Sequence, residues 1–172
     1  MQNTTSKLDQ GRIQKITDTL LAARKNNLKE VLEIAHRLEN VCEKDGVLYI
    51  NDSKSTNIHA TFYSLECMTR PVVWLLSASD FEQDYDLLAD LVNEKVKAVV
   101  CLVSSEQRLS FDPAMFGKKL RVVSKLADAV MKASELASSG DAVLFSPAHP
   151  SELCYAGYKE RGEHFRKLAS NL

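Results

Sequence analysis

Three short runs in this chain are apolar at every position: Val72-Val73-Trp74-Leu75-Leu76, Ala98-Val99-Val100-Cys101-Leu102-Val103 and Ala142-Val143-Leu144-Phe145. A strand with one wet face alternates apolar and polar residues. A strand without that alternation needs cover on both faces. Helical spacing separates and follows these runs. It is seen at Tyr85, Leu87, Leu88, Leu91 and Val92, at Leu126, Val130, Ala133 and Leu136, and from Tyr158 to Leu172 with Phe165 and Leu168 inward. Strands and helices that alternate over short connections favour a parallel sheet with right-handed crossovers. The pattern predicts an α/β fold, a Rossmann-like three-layer sandwich with a mainly parallel sheet.

The beginning of the chain is different. Ile13, Ile16, Leu20 and Leu21 give one helical stripe, and a second helix follows Asn27 with Leu28, Val31, Leu32 and Ala35 on its apolar face. Glu30 stands where a capping box wants its acid. Arg37 to Glu43 and Gly46 to Ile50 then read as a β-hairpin turning at Lys44-Asp45-Gly46. This divides the chain into an N-terminal helical pair, residues 1–35, and an α/β domain, residues 36–172. Leu120 to Val123 is a further short strand. Residues 104–119 are less regular, anchored by Phe111, Met115 and Phe116.

The apolar run Val47-Leu48-Tyr49-Ile50 stops at Asn51-Asp52-Ser53-Lys54-Ser55-Thr56-Asn57, and helical spacing resumes at Ile58, Phe62 and Leu65. A polar loop between the carboxyl end of a strand and a helix is where open α/β sheets collect ligand-binding groups. If the sheet is parallel, residues 51–57, 77–84 and 146–155 share that edge, with Arg37 beside them. Such an edge suits an anionic ligand.

Other classes are excluded by simpler features. The net charge of −1 gives no general attraction to nucleic acid. No stretch is long and apolar enough to cross a membrane, and the first residues lack the apolar core of a signal peptide. Cys42, Cys67, Cys101 and Cys154 are widely spaced, which reads as reduced thiols in a cytoplasmic protein and not as a zinc site. His149 next to Pro150 has no nucleophile in a recognisable turn. Lys159-Glu160-Arg161 reads as a solvated helix face or a surface ion-pair network.

The order His36-Arg37-Leu38-Glu39, an apolar strand, Asn51-Asp52-Ser53-Lys54-Ser55-Thr56-Asn57, Ser146-Pro147-Ala148 and Tyr158-Lys159-Glu160-Arg161-Gly162-Glu163-His164-Phe165 resembles the carboxy-terminal domain of the Mur ligases, the D-glutamate-adding members above all. The resemblance runs over roughly residues 36–170. It implies bacterial cell-wall synthesis, in which a carboxylate is phosphorylated by ATP and the acyl phosphate is then attacked by an amine. The substrates it implies are UDP-N-acetylmuramoyl-L-alanine and D-glutamate, with ATP and magnesium in the full-length enzymes. By similarity Arg37, Asp52 and Lys54 would approach the nucleotide, and Arg37, Thr56, Ser151 and Tyr155 would line the D-glutamate pocket. Each has an ordinary structural alternative: a solvated cation for Arg37, a helix cap for Asp52 or Ser53.

The chain departs from the family pattern in three places. It has no Gly-x-x-x-x-Gly-Lys-Ser/Thr sequence, and its glycines at 11, 46, 117, 140, 157 and 162 are isolated. Ser77-Ala78-Ser79-Asp80-Phe81 stands where the family has a Gly-Gly pair and a lysine. Ser151-Glu152-Leu153-Cys154-Tyr155 lacks the usual Ser-x-Asp. The resemblance also places a central ATP-binding domain before residue 36, and that domain is expected to be missing here. The chain alone is therefore expected to hold no catalytic residue, no metal and no bound nucleotide. Two readings stay open. One is the substrate-binding domain of a D-glutamate ligase. The other is a divergent, non-catalytic, stand-alone domain that binds a small acidic ligand or a protein, weak self-association included.

Overall fold

The computed structural model of the chain describes residues 34–78, 83–103, 109, 111–116, 119–151 and 154–172. The two expected N-terminal helices and Phe81 lie outside the described residues. His36–Leu172 is a compact unit by itself.

Its elements are β1 (Glu39–Lys44), β2 (Val47–Asn51), α1 (Ile58–Glu66), β3 (Val72–Ser77), a 3-10 turn (Tyr85–Leu88) running into α2 (Ala89–Lys95), β4 (Val96–Leu102), a second 3-10 turn (Pro113–Met115), β5 (Leu120–Val123), α3 (Leu126–Leu136), β6 (Ala142–Phe145) and α4 (Tyr158–Ser170). The six strands form one sheet in the order β1-β2-β6-β3-β4-β5. Among the described residues only β1 is antiparallel, paired to β2 through the hairpin; the other pairings there are parallel. Asp45 (φ 53°) and Gly46 (φ 77°) make the hairpin turn, both left-handed, as the twist of a two-residue turn requires.

Each unbroken apolar strand divides its residues between two cores. Val72, Trp74, Leu76, Ala142 and Leu144 face one side with Ile58 and Leu65 of α1 and Val92 of α2. Val73, Leu75, Val143 and Phe145 face the other, with Leu126, Ala129, Val130 and Ala133 of α3 and Phe165 and Ala169 of α4. Phe145 and Phe165 stack at 4.8 Å. The expected three layers are present, with helices on both faces of a mainly parallel sheet.

Two details differ from the sequence reading. α1 is capped by Asn57, whose Oδ1 accepts the Ala60 amide at 2.9 Å, not by Asp52 or Ser53. Asn57 is the last residue with extended backbone before the helix, so only its side chain reaches the first-turn amides. The expected helix at 85–92 starts as a 3-10 turn, and Asp84 makes no side-chain cap there. Phe111 and Phe116 do anchor the irregular segment, packing on Tyr85 with ring centroids at 4.9 and 6.3 Å.

Candidate functional site

β2, β6 and β3 are neighbours and run parallel, so the loops that leave their carboxyl ends lie along one edge. β1 enters antiparallel, with Glu39 opposite Asn51, which brings the segment His36–Leu38 to the same edge. Backbone hydrogen bonds stitch these segments together. The Lys54 amide donates to His36 O (2.9 Å), the Ala148 amide to Ser55 O (3.1 Å) and the Ser77 amide to Pro147 O (3.0 Å).

The residues expected at the site fall into two groups. Arg37, Lys54 and Thr56 are half-buried. Arg37 has no hydrogen-bond or ion-pair partner among the described residues, and Lys54 Nζ sits 5.8 Å from the centre of the Tyr158 ring. Ser151 is buried, and its hydroxyl has no hydrogen-bond partner among the described residues. Tyr155 is half-buried; its hydroxyl lies 2.9 Å from His164 Nδ1, and burial raises the phenol above its ordinary value.

Asp52 is different. It is fully buried, with Oδ1 accepting the Leu38 amide (3.2 Å) and Oδ2 accepting the Ser146 hydroxyl (2.8 Å). Ser146 also lies 2.9 Å from Thr61 Oγ1, and its carbonyl accepts Trp74 Nε1 at 2.7 Å. Burial raises the Asp52 pKa, although the hydroxyls of Ser55, Ser64 and Ser146 and the Leu38 amide pull it back. In this arrangement both carboxylate oxygens serve the protein, and the residue joins β2, β6 and α1 from below the edge.

His149, the residue without a nucleophile, is 1% exposed. Gln83 anchors it. Gln83 Oε1 accepts the Ile58 amide (2.9 Å), which aims Nε2 at Ala148 O (2.8 Å) and His149 Nδ1 (2.6 Å). His149 Nε2 lies 2.6 Å from the Tyr85 hydroxyl. Burial first, and the Arg161 charge second, lower its pKa from 6.5 to about 4, so it is neutral at pH 7 and works as a loop anchor.

Arg161 corrects the sequence reading. Lys159 and Glu160 are exposed, as a solvated helix face requires, but Arg161 is 2% exposed. Its guanidinium donates to Ser53 Oγ (3.0 Å), Ser53 O (2.9 Å), His149 O (2.9 Å) and Pro150 O (3.1 Å). Helical spacing carried the signal, since Arg161 shares the buried stripe of α4 with Phe165 and Ala169. Next to it, Asn51 Oδ1 accepts the Ser53 amide (3.2 Å), so its Nδ2 faces His36 Nδ1 (2.9 Å), Glu39 Oε2 (3.2 Å) and Gly162 O (3.2 Å). His36 and Ala148 both hold left-handed backbones, at φ 65° and 61°, and both are buried. Strain of this kind persists only where surrounding contacts enforce it.

The edge thus carries half-buried cations and a buried hydroxyl that has no partner among the described residues. Residues 36–149 match the model of the Mur ligase glutamate ligase domain. The chain belongs to the Mur ligase family. It is 42% identical over 158 residues to the UDP-N-acetylmuramoylalanine--D-glutamate ligase of Christiangramia forsetii, covering 89% of this chain and 35% of that protein. The corresponding ligase of Salinibacter ruber is 40% identical over 139 residues, covering 81% of this chain and 30% of that protein. The chain thus spans about a third of the length of these curated relatives. Among solved structures, a domain from a Haemophilus ducreyi protein described as a UDP-N-acetylmuramate:L-alanyl-gamma-D-glutamyl-medo-diaminopimelate ligase shares the fold at TM-score 0.53 and 13% identity. That match covers 78% of this chain and 98% of the domain. A Yersinia pestis folylpolyglutamate synthase/dihydrofolate synthase, solved with AMPPNP and manganese, matches at TM-score 0.54 and 18% identity over 79% of this chain and 32% of its own. The chain is a carboxy-terminal domain of the Mur ligase type, similar to the D-glutamate ligases.

Proposed function

We propose that this chain is the amino-acid end of a D-glutamate-adding ligase of peptidoglycan synthesis, acting in the cytoplasm together with ATP-binding and UDP-substrate domains. The observation that carries the reading is the Ser151 hydroxyl, buried at the carboxyl edge with no partner among the described residues. An unmade hydrogen bond of that kind costs about 1–3 kcal/mol, which a ligand's carboxylate or amine would recover. Thr56 and Tyr155 would complete the D-glutamate side. Arg37 and Lys54 would face the nucleotide's phosphates, where charge builds up in phosphoryl transfer and fixed cations stabilise it. Asp52 would act from behind, holding the loop of Lys54 and Thr56 to β6.

ATP supplies the phosphoryl group that activates the substrate carboxylate. The chain has no glycine-rich phosphate loop, so the phosphate cradle and the magnesium ligands would come from the ATP-binding domain. What these residues contribute is orientation: D-glutamate held so that its amine meets the activated carbonyl, and water kept from it.

Ser77 and Ala78 in place of two glycines, and Phe81 in place of a lysine, favour the second reading, a non-catalytic domain that binds a small acidic ligand or a protein. One experiment separates the two. Residues 1–172 are joined to the other domains of the Christiangramia forsetii ligase, and ATP-dependent addition of D-glutamate to UDP-N-acetylmuramoyl-L-alanine is measured. Turnover supports the ligase reading; a folded but inactive chimera supports the other.

A further inference from the structure

Arg161 touches two loops and belongs to neither. Its Nε and Nη2 hold Ser53 Oγ and Ser53 O, in the loop after β2; its Nη1 holds His149 O and Pro150 O, in the loop after β6. Ser53 Oγ in turn donates to Tyr158 O at 2.9 Å, so the first turn of α4 is fastened to the same loop. A planar guanidinium spreads its donors outward to both loops, whereas a lysine offers its donors from a single point of charge. The burial of so polar a group is sustained by this set of acceptors.

We propose that Arg161 is the positioning residue of the substrate edge. It sets the spacing between the loop that carries Lys54 and Thr56 and the loop that carries Ser151 and Tyr155. It acts through Ser53 and through the His149–Pro150 carbonyls, without touching the ligand. The proposal rests on the ligase reading for the identity of the ligand, while the coupling of the two loops stands apart from it.

The test has two arms. In the first, backbone amide exchange is followed by NMR in the 172-residue chain and in its Arg161→Lys and Arg161→Met variants. The lysine form keeps the charge and much of the volume, so it serves if the methionine form does not fold. Exchange at Lys54, Ser55 and Ala148 is expected to quicken at least tenfold together, while Trp74, Val99 and Leu144 in the core strands stay within twofold. In the second arm, Arg161→Lys is placed in the joined enzyme described above. The KM for D-glutamate is expected to rise at least tenfold, with the KM for UDP-N-acetylmuramoyl-L-alanine within twofold. Unchanged loops overturn the proposal, as does a uniform rise that includes the core strands, which would mark Arg161 as a residue of general stability. Loosened loops with an unchanged KM for D-glutamate in an active enzyme also overturn it. Loosened loops in a chain whose unsubstituted joined enzyme is inactive leave the positioning role standing and remove the ligase reading.

Discussion

A Cβ placed on Gly162 would lie 2.3 Å from His36 Nδ1 and 3.1 Å from Asn51 Nδ2. The missing side chain of α4 is what lets the His36 ring reach Asn51. Gly162→Ala should therefore cost about 1–3 kcal/mol through overpacking and lower Tm by about 3–10 °C. His36→Ala in the same chain should recover part of that loss. Thermal unfolding of the two single variants and the double variant checks this; strictly additive losses would show that the His36 ring is not the obstacle.

His149 should make the domain acid-sensitive. Its folded pKa, about 4, lies below the ordinary 6.5 because the neutral ring is buried and Arg161 is near. A depressed pKa gives stability that is present above 6.5 and is lost as pH falls towards 4, as the unfolded chain takes up the proton first. The full difference is about 3 kcal/mol. Denaturant unfolding between pH 7 and 4 should show this slope in the unsubstituted chain and a flatter one in His149→Gln.

Asp52 should act in the opposite sense. Burial raises its folded pKa above 3.8. Its contribution is present below that value and is lost as pH climbs through the raised one. Asp52→Asn keeps an acceptor for the Leu38 amide and presents an amide to Ser146, whose hydroxyl then accepts. The variant should fold, and relative to the unsubstituted chain it should gain stability as pH rises from about 4 to 7. A chain that loses stability equally at every pH after this substitution would mean that Asp52 is charged in the fold.

The nucleotide gives a fourth expectation. Arg37 and Lys54 offer cations but no cradle of backbone donors, so the 172-residue chain should bind magnesium-ATP weakly or not at all and should not hydrolyse it. Isothermal titration that found a micromolar or tighter complex would contradict this.

D-glutamate gives the last. If Phe81 stands where the family resemblance implies a lysine, a D-glutamate site would have one cation fewer for two carboxylates, a loss of about 2–5 kcal/mol. Ligand-observed NMR of the 172-residue chain should detect no binding at millimolar D-glutamate. The joined enzyme should need at least tenfold more D-glutamate than the Christiangramia forsetii ligase, and Phe81→Lys should narrow that gap. An efficient chimera that Phe81→Lys does not improve would mean that another cation, Lys54 or Lys159, has taken the role.

The sequence by itself determined the layers, the strands and the edge. Val72 to Leu76 and Ala142 to Phe145 have no polar position, so each could lie only between two cores, and that argument needs no partner from elsewhere in the chain. The break from Ile50 to Asn51 marked the carboxyl edge for the same local reason. The tertiary structure decided which polar groups stay open at the edge and which hold the edge in shape. Arg161 reads as one more charge on a helix until Ser53, 108 positions away, supplies its acceptors. Asp52 reads as a nucleotide-binding group or a cap; folding leaves the cap to Asn57 and brings Ser146, 94 positions away, to donate to Asp52. A strand's burial follows from its own residues, whereas a buried charge or acid depends on the partners that folding brings to it.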